Sequence, residues 1–237
     1  DKKMLKAFAS DIDGTLVFDG KIKSQDKQAI TAFQKKYLYG VCSGRPLCGL
    51  KDIENIHCDF YSLSSGALIL DKNKQIIHHH PIDINIVEML FNTYKPKAKI
   101  IIQTGNPSTF YSTLTNTLNS FTQVKQETIY GISFIFDDEP STLEVLHELD
   151  RYPHIKGYQN LNSIDIVSDA CSKGEGVKFI KDYYHVDTLY GIGDSYNDLP
   201  LFEAADYAFT FNSSPDDLKQ NVDECIDSLS EAINKVL

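Results

Sequence analysis

The stretch that decides the fold is Asp11-Ile12-Asp13-Gly14-Thr15-Leu16, which directly follows the apolar residues 5–10. The apolar run predicts a short buried strand that stops at Asp11. Open α/β sheets bind their ligands at the carboxyl ends of strands, so two carboxylates two residues apart at this point can face one pocket. The alternative is an ordinary Asp-Gly turn between a strand and a loop, which this segment alone does not exclude.

Both ends of the chain alternate strands with helices. A second strand is predicted over residues 37–42 and stops at Ser43-Gly44-Arg45-Pro46, where Pro46 suits the first turn of a helix over residues 47–53. Towards the C-terminal end, helices are predicted over residues 176–184 and 197–204, and strands over residues 188–193 and 207–211. This alternation is typical of a parallel sheet in an α/β domain.

The middle of the chain has a different pattern. Helices are predicted over residues 83–91 and 141–150, and strands over residues 99–104, 108–112, 131–136, 155–159 and 163–167. Strands here follow one another through short turns such as Gly105-Asn106-Pro107, which favours antiparallel hairpins. We therefore predict an α/β protein with a discontinuous core domain, residues 1–80 and 162–237, and an inserted α/β domain, residues 81–161.

The segment Gly191-Ile192-Gly193-Asp194-Ser195-Tyr196-Asn197-Asp198 places further acids at the end of another predicted strand. Carboxylates that converge in a partly desolvated pocket repel one another and require a cation. An oxygen-only ligand set suits Mg²⁺ better than Zn²⁺. A dinucleotide-binding loop is less consistent with the sequence, because Tyr196 stands where the third glycine is needed. A plain turn at Asp194 and a helix cap at Asp198 form the remaining alternative.

The composition excludes several classes of function. The 237 residues contain 23 Lys and Arg against 33 Asp and Glu, a formal net charge of −10, so no nucleic-acid partner is expected. The aliphatic runs are far shorter than the ~20 residues of a membrane-spanning helix, so we expect no membrane association. Residues 1–6 contain no apolar signal core, and the five cysteines include no Cys-x-x-Cys pair. A cytoplasmic location is therefore expected.

Four motifs occur along the chain in the order Asp11-x-Asp13-Gly14-Thr15, Ser43-Gly44-Arg45, Lys173-Gly174 and Gly193-Asp194-x-x-Asn197-Asp198. Together they resemble the motifs of the haloacid-dehalogenase-like (HAD) phosphatases, and the long insert resembles that of the Cof-type subfamily. The resemblance implies a Rossmann-like parallel-sheet HAD core with an inserted α/β (C2-type) cap domain.

The resemblance also implies a role for each motif residue. Asp11 is expected to be the nucleophile that forms an aspartyl-phosphate, and Asp13 the general acid and base. Mg²⁺ is expected to bind Asp11, the backbone carbonyl of Asp13, and Asp194. The phosphate-binding groups are expected to be the N–H of Ile12, the hydroxyl of Ser43, the N–H of Gly44, Lys173 and Asn197. Supporting roles are expected for Arg45, Asp198 and Thr15.

We therefore expect a Mg²⁺-dependent phosphatase that hydrolyses a small phosphorylated metabolite, such as a sugar phosphate, and that is a monomer or a weak homodimer. A phosphotransferase or phosphomutase with the same aspartyl-phosphate chemistry and a non-enzymatic phosphometabolite sensor remain alternatives. Taken alone, Lys173 is more typical of a solvated surface lysine. The run His78-His79-His80 lies near the predicted domain boundary, where we expect a solvated linker rather than a metal site.

Overall fold

The computed structural model describes residues 3–237, which form two compact units. The first unit contains the described chain up to Gly44, Leu50–His78 and Ser172–Leu237, and the second contains Arg45–Gly49 and His79–Cys171. Asp1 and Lys2 lie outside the described residues. They are the first two residues of the predicted core domain, and they also belong to the segment in which no export signal is expected.

The elements follow one another along both units. In chain order the strands are β1 (Lys6–Ser10), β2 (Val17–Phe18), β3 (Lys21–Ile22), β4 (Leu38–Cys42), β5 (Phe60–Leu63), β6 (Leu68–Asp71), β7 (Ile76–His79), β8 (Lys99–Thr104), β9 (Tyr111–Ser112), β10 (Ile129–Ile135), β11 (Ile155–Asn160), β12 (Ser163–Ser168), β13 (Thr188–Ile192), β14 (Tyr207–Phe211) and β15 (Glu224–Ile226). The helices are α1 (Ser24–Phe33), α2 (Ile84–Tyr94), α3 (Glu139–Glu148), α4 (Lys173–Tyr183), α5 (Leu199–Ala204), α6 (Asp216–Lys219) and α7 (Leu229–Val236). None of these described helices is long and apolar enough to cross a lipid bilayer.

The first unit is built on an eight-stranded sheet with the order β15-β14-β13-β1-β4-β5-β6-β7. The pairs from β15 to β5 are parallel, and β5 pairs with β6 antiparallel. Successive residues of a strand face opposite sides of a sheet, so Ala7 and Ala9 pack in the core that includes Val177 of α4, while Phe8 meets Phe33 of α1 edge to face. Because it is covered on both sides, β1 is apolar throughout its interior, as a central parallel strand must be.

The second unit is built on a five-stranded antiparallel sheet with the order β11-β12-β10-β8-β9. Alternate residues such as Ile100, Ile102, Ile132 and Phe134 are buried, and α2 and α3 also contribute residues to this core. The sheet explains why the unit extends to Cys171 instead of ending at residue 161. β12 pairs with β10 and β11, so the strand that follows residue 161 completes the sheet of the insert. The predicted α/β class, with a large parallel sheet and a separate antiparallel one, is confirmed.

The predicted helix after Pro46 is wrong, because two short 3₁₀ turns, Leu47–Gly49 and Lys51–Ile53, replace it. The N–H of Gly49 donates to the carbonyl of Pro46 three residues earlier, at 2.9 Å. Glycine disfavours a continuous α-helix, so the segment forms separate tight turns. The N–H groups of Ser43 and Gly44 therefore do not stand at the start of an α-helix.

The histidine run is not a solvated linker, since His78 and His79 belong to β7. The ring of His78 stacks on Phe179 with a centroid distance of 4.2 Å. The Nδ1 atom of His79 lies within hydrogen-bond distance of the Tyr130 hydroxyl, at 2.7 Å. These ring contacts give His78 and His79 a structural role.

A buried carboxylate joins the first helix of the chain to the last. Asp26 lies in the first turn of α1 and is almost completely buried, and its Oδ1 accepts the N–H of Ser230 in α7 at 2.9 Å. Its Oδ2 atom has no hydrogen-bond partner among the described residues. Burial raises the pKa of Asp26, although the Ser230 N–H and the charge of Lys23 oppose the shift.

This raised pKa predicts a pH-dependent contribution to stability. The folded state binds the proton of Asp26 more tightly than the unfolded state, so the free energy of unfolding falls as the pH rises above the ordinary value of 3.8 and through the folded-state pKa. Asp26→Asn retains an acceptor for Ser230 but carries no charge. Urea unfolding between about pH 4 and pH 8 should therefore show the wild type losing stability relative to Asp26→Asn as the pH rises.

Asp216→Asn is the matched control, because the side chain of Asp216 in α6 is 98% exposed. The free energy of unfolding of Asp216→Asn should change with pH in the same way as that of the wild type. Parallel curves for the wild type and Asp26→Asn would contradict a raised pKa at Asp26.

Candidate active site

Three strand ends bring predicted site residues to one edge of the large sheet. Asp11 follows β1, Ser43 follows β4, and Gly193-Asp194 follows β13, and these strands are parallel neighbours. The N–H of Asp11 donates to the carbonyl of Ile192 at 3.0 Å, which ties the end of β1 to the end of β13. A ligand at this edge therefore meets residues from distant parts of the sequence.

Lys173 reaches this edge from the first position of α4. Ser172 is the N-cap of the helix, and its hydroxyl oxygen accepts the N–H of Glu175 at 3.0 Å. Lys173 is only 4% exposed, and its Nζ lies 3.2 Å from Asp11 Oδ1 and 2.8 Å from Asp198 Oδ1. It is therefore not a solvated surface lysine but a buried ammonium group bonded to two carboxylates.

Asp198 also holds the loop that follows β13. Its Oδ2 accepts the N–H of Asp194 at 3.0 Å and the N–H of Ser195 at 3.2 Å. A Cβ atom on Gly193 would lie 2.4 Å from the Cγ of Asp198, so only glycine permits this approach. One carboxylate thus binds both the loop and the buried ammonium group.

Three carboxylates form a group that can bind a cation. One oxygen from each of Asp11, Asp194 and Asp198 lies within 4.8 Å of the others. Burial raises the pKa of Asp11, and Asp198 and Asp194 raise it further, against the opposing charge of Lys173. Burial and the charge of Asp198 also raise the pKa of Asp194. One ammonium group does not balance three carboxylates, so this hard oxygen donor set fits Mg²⁺.

The ammonium group remains charged in this environment. Burial by itself lowers the pKa of Lys173, but the charges of Asp11 and Asp198 outweigh it and hold that pKa above its ordinary value. A permanent positive charge next to Asp11 favours the carboxylate form of Asp11 and can attract an anionic ligand.

The turn after Asp11 is built around a single carbonyl. The carbonyl of Ile12 accepts N–H groups from Thr15, Leu16 and Val17 at 3.3, 2.9 and 2.9 Å. Thr15 is completely buried, and its hydroxyl oxygen has no partner among the described residues. Asp13 is exposed, so the turn separates a buried carboxylate at position 11 from an accessible one two residues later.

Gly14 is required by both its backbone and its surroundings. Its φ of +76° lies in the left-handed region, and a Cβ atom at this position would lie 2.1 Å from Asp194 Oδ2. Asp194 can approach the turn after β1 only because position 14 carries no side chain.

The second motif contributes a buried hydroxyl residue and a braced arginine. Ser43 is buried, its N–H donates to the carbonyl of Ser62 at 2.8 Å, and its carbonyl accepts the N–H of Ser65 at 2.9 Å. Gly44 beside it is exposed. The Nη1 of Arg45 donates to the carbonyl of Gly49 at 2.9 Å, which braces the turn within the second unit.

Asn197 is exposed in the same loop as Asp194. Its Oδ1 accepts the hydroxyl of Ser195 at 2.5 Å, which orients the side-chain amide. The amide N–H groups of a side chain whose oxygen is occupied can donate to an anion.

A cavity of about 300 Å³ adjoins the carboxylates within the first unit. Gly14 and Asp194 form the part of its wall that lies next to the three carboxylates. The rest of its wall is formed by Phe18, Lys23, Phe211, Ser213, Ser214, Pro215 and Asp227. The volume lies at the lower end of the range for small-molecule sites.

Sequence reasoning missed the bond between Lys173 and Asp198. It also missed the buried hydroxyl group of Thr210, which donates to the carbonyl of Gly193 at 2.7 Å. The spacing between Gly193 and Asp198 indicates a tight loop. The direction of the Asp198 carboxylate, however, depends on the backbone conformation of that loop. Nothing in the local sequence identifies Thr210, because its partner comes from the neighbouring strand.

Comparison with known proteins gives a match along almost the whole chain. The model of the haloacid dehalogenase-like hydrolase family matches residues 8–237. The chain is 25% identical to a 5-amino-6-(5-phospho-D-ribitylamino)uracil phosphatase of Bacillus subtilis, with 91% of each protein covered. It is 41% identical over 61 residues to the mannosyl-3-phosphoglycerate phosphatase of Pyrococcus horikoshii, which covers 24% of this chain and 25% of that protein.

A solved structure of a HAD-superfamily phosphatase from Bacteroides thetaiotaomicron has a similar fold. It superposes with a TM-score of 0.83 at 16% identity and covers 98% of this chain and 94% of that one. A likeness at this level of identity concerns the fold, and it agrees with the parallel sheet and the inserted antiparallel unit described above.

Gly14→Ala should weaken cation binding by displacing Asp194. The substitution adds a methyl group that overlaps Asp194 Oδ2 and places a non-glycine residue at positive φ. The strained backbone costs roughly 1–2 kcal/mol of stability. The displaced carboxylate should weaken Mn²⁺ binding, measured by titration calorimetry, by about tenfold or more.

Gly20→Ala separates these two effects. Gly20 has a φ of +73°, but a Cβ atom there would meet nothing within 4 Å. Gly20→Ala should therefore lose similar stability in thermal unfolding and bind Mn²⁺ as the wild type does. Equal Mn²⁺ affinities for the two variants would show that Asp194 does not depend on Gly14.

Proposed function

Because this chain belongs to the haloacid dehalogenase-like hydrolase family, we propose that it is a Mg²⁺-dependent phosphatase, which hydrolyses small phosphomonoesters through an aspartyl-phosphate intermediate. The observation that carries the proposal is the buried ammonium group of Lys173, which lies between Asp11 and Asp198. It places a fixed positive charge against a carboxylate at the ligand-binding edge of the sheet. Phosphoryl transfer needs this combination of a nucleophile and stabilisation of phosphoryl charge.

Asp11 is the nucleophile of the proposed reaction. One of its carboxylate oxygens attacks phosphorus, and the bond between phosphorus and the ester oxygen breaks with its electrons on the leaving oxygen. In the second step, the oxygen of a water molecule attacks the phosphorus of the aspartyl-phosphate. The carboxylate of Asp11 then leaves unchanged, and inorganic phosphate is released.

Asp13 is the general acid and base. It gives its proton to the leaving alcohol in the first step and takes a proton from the attacking water in the second. Its exposure supports this role, because a proton carrier must reach both the substrate and water. Asp11 is buried and lies beside Lys173, an environment that suits a carboxylate kept for attack on phosphorus.

Asp11, Asp194 and the carbonyl of Asp13 would hold Mg²⁺, with Asp198 as a supporting carboxylate. When bound, the ion supplies positive charge next to the phosphoryl oxygens and favours the ionised form of its carboxylate ligands. The donor groups assigned to the phosphate are the N–H of Ile12, the hydroxyl of Ser43, the N–H of Gly44, the ammonium of Lys173 and the amide of Asn197. Supporting roles are assigned to Arg45 and Thr15.

The substrate of the proposed enzyme is a small phosphorylated metabolite with a sugar-like leaving group. The names of the relatives from Bacillus subtilis and Pyrococcus horikoshii, which specify a phosphoribityl compound and a mannosyl phosphoglycerate, support this class. The inserted domain acts as the cap that selects the substrate. Residues 79–171 contain six Lys and Arg residues and eleven Asp and Glu residues, so long-range attraction of anions by the cap does not provide the selection.

The proposed enzyme acts in the cytoplasm as a monomer or weak homodimer. All five cysteines are free thiols, which is consistent with a reducing compartment. The acidic composition gives no support to a nucleic-acid partner.

Asp11→Asn should remove the activity without unfolding the protein. The amide cannot attack phosphorus, so hydrolysis of p-nitrophenyl phosphate in the presence of Mg²⁺ should fall below about 1% of the wild-type rate. The assay is the release of p-nitrophenol, together with thermal unfolding of each protein. A variant that retains a substantial rate would remove Asp11 from the role of nucleophile.

Asp182→Asn is the matched control, because Asp182 is exposed at the other end of α4. It should hydrolyse the ester at the wild-type rate. EDTA should abolish the wild-type activity and added Mg²⁺ should restore it, and activity that survives EDTA would contradict the metal requirement.

Asp13→Asn should slow hydrolysis by about 10²-fold on alkyl phosphates, because their leaving oxygen needs a proton. The p-nitrophenolate ion leaves without a proton, so the first step with p-nitrophenyl phosphate should remain fast while breakdown of the aspartyl-phosphate slows. Rapid mixing should therefore show a burst of about one equivalent of p-nitrophenol, followed by slow turnover. Equal losses on both esters with no burst would contradict the dual role of Asp13.

A further inference from the structure

Thr210 lies in β14, next to the loop that carries Asp194, and it is completely buried. Its hydroxyl donates to the carbonyl oxygen of Gly193 at 2.7 Å and lies 2.9 Å from the hydroxyl of Ser214. A hydroxyl group has one proton to donate, and Thr210 gives it to Gly193. Ser214 must therefore donate to Thr210, so the two hydroxyls and the carbonyl form an ordered chain.

The regular ladder between β13 and β14 ends before this carbonyl. The register between β13 and β14 ends at Ile192 opposite Phe209, and the N–H of Gly193 makes only a long bond of 3.4 Å to the Phe209 carbonyl. Gly193 is buried, and an unpaired buried carbonyl is costly. The hydroxyl of Thr210 satisfies it at the point where the strand becomes the loop.

The carbonyl of Gly193 and the N–H of Asp194 belong to the same planar peptide group. Thr210 binds the oxygen of that group at 2.7 Å, and Asp198 Oδ2 accepts its N–H at 3.0 Å. Hydrogen bonds on both sides of this planar group oppose its rotation, so they restrain the direction in which the next residue leaves it. That next residue is Asp194, whose carboxylate belongs to the cation-binding group.

We infer that Thr210, assisted by Ser214, is a positioning residue that sets the carboxylate of Asp194 for metal binding. The inference rests on the proposed function, because it assigns a purpose to the same site. Thr210 is not among the residues assigned to the substrate or the metal, and it acts only through the peptide group between Gly193 and Asp194.

The test compares Thr210→Val, which keeps the shape of the side chain but removes the hydroxyl, with Thr210→Ser, which restores it. Mn²⁺ binding is measured by titration calorimetry on the full chain without substrate. Thr210→Val should bind Mn²⁺ about tenfold to 100-fold more weakly, as expected for the loss of a group that orients a metal ligand. Thr210→Ser should bind within about threefold of the wild type.

Thr188→Val is the matched control, since Thr188 lies at the opposite end of β13. It should leave the Mn²⁺ affinity unchanged. Wild-type affinity in Thr210→Val, with only a lower melting temperature, would overturn the inference and leave Thr210 as a packing residue. If Thr210→Val does not fold, the test uses Ser214→Ala instead, which removes the hydroxyl that donates to Thr210. Weaker Mn²⁺ binding by that variant supports the inference, and unchanged binding overturns it.

The Mg²⁺ dependence of hydrolysis gives a second readout. Thr210→Val should need about tenfold more Mg²⁺ for half-maximal activity but should regain most of the wild-type kcat at saturating Mg²⁺. A wild type that binds Mn²⁺ but hydrolyses no phosphomonoester would contradict the proposed function and leave the comparison of Mn²⁺ affinities intact. A failure of the inference on Thr210 can therefore be distinguished from a failure of the proposed function.

Discussion

The candidate site depends on the burial of one ammonium group between two carboxylates. Lys173 lies 3.2 Å from Asp11 and 2.8 Å from Asp198, and all three residues are at most 5% exposed. Removing one partner from a buried ion pair commonly costs about 3–5 kcal/mol, because the remaining charge loses its compensation. The three side chains come from the end of β1, the start of α4 and the loop after β13. The ion pairs therefore hold the carboxyl edge of the sheet together across 187 residues of sequence from Asp11 to Asp198.

Glycines make this close approach of backbone and charge possible. A Cβ atom at Gly14 would overlap Asp194, one at Gly193 would overlap Asp198, and one at Gly174 would lie 2.5 Å from the carbonyl of Pro200. Each of these glycines belongs to one of the four motifs. These three glycines are thus required for steric as well as conformational reasons, since each leaves space for a charged or polar group that a side chain would overlap.

Much of the fold and of the site could be predicted from sequence, for a physical reason. Parallel strands covered on both faces are continuous apolar runs, so β1 and β13 are visible locally, and their common carboxyl edge brings Asp11 and Asp194 together. The strand over residues 163–167 was predicted, but its place in the sheet of the insert was not, because β12 belongs to that sheet through pairing with strands that precede it along the chain. The helix predicted after Pro46 failed because Gly49 favours tight turns. The bond from Thr210 to Gly193 depends on strand register, which the local pattern does not contain.

Charged and neutral groups have different tasks in this arrangement. One oxygen of Asp198 accepts a hydrogen bond from Lys173, and the other accepts the N–H groups of Asp194 and Ser195. Most of the hydrogen bonds of Asp198 therefore stabilise the structure of the site. Thr210 completes the support of the same loop with a neutral hydroxyl, which adds no charge to a pocket that already contains three carboxylates. A cationic residue in place of Thr210 could also donate to the carbonyl of Gly193, but its positive charge would oppose the binding of a cation. Support by a neutral group therefore holds the loop in place while the net negative charge of the cluster remains available for a cation.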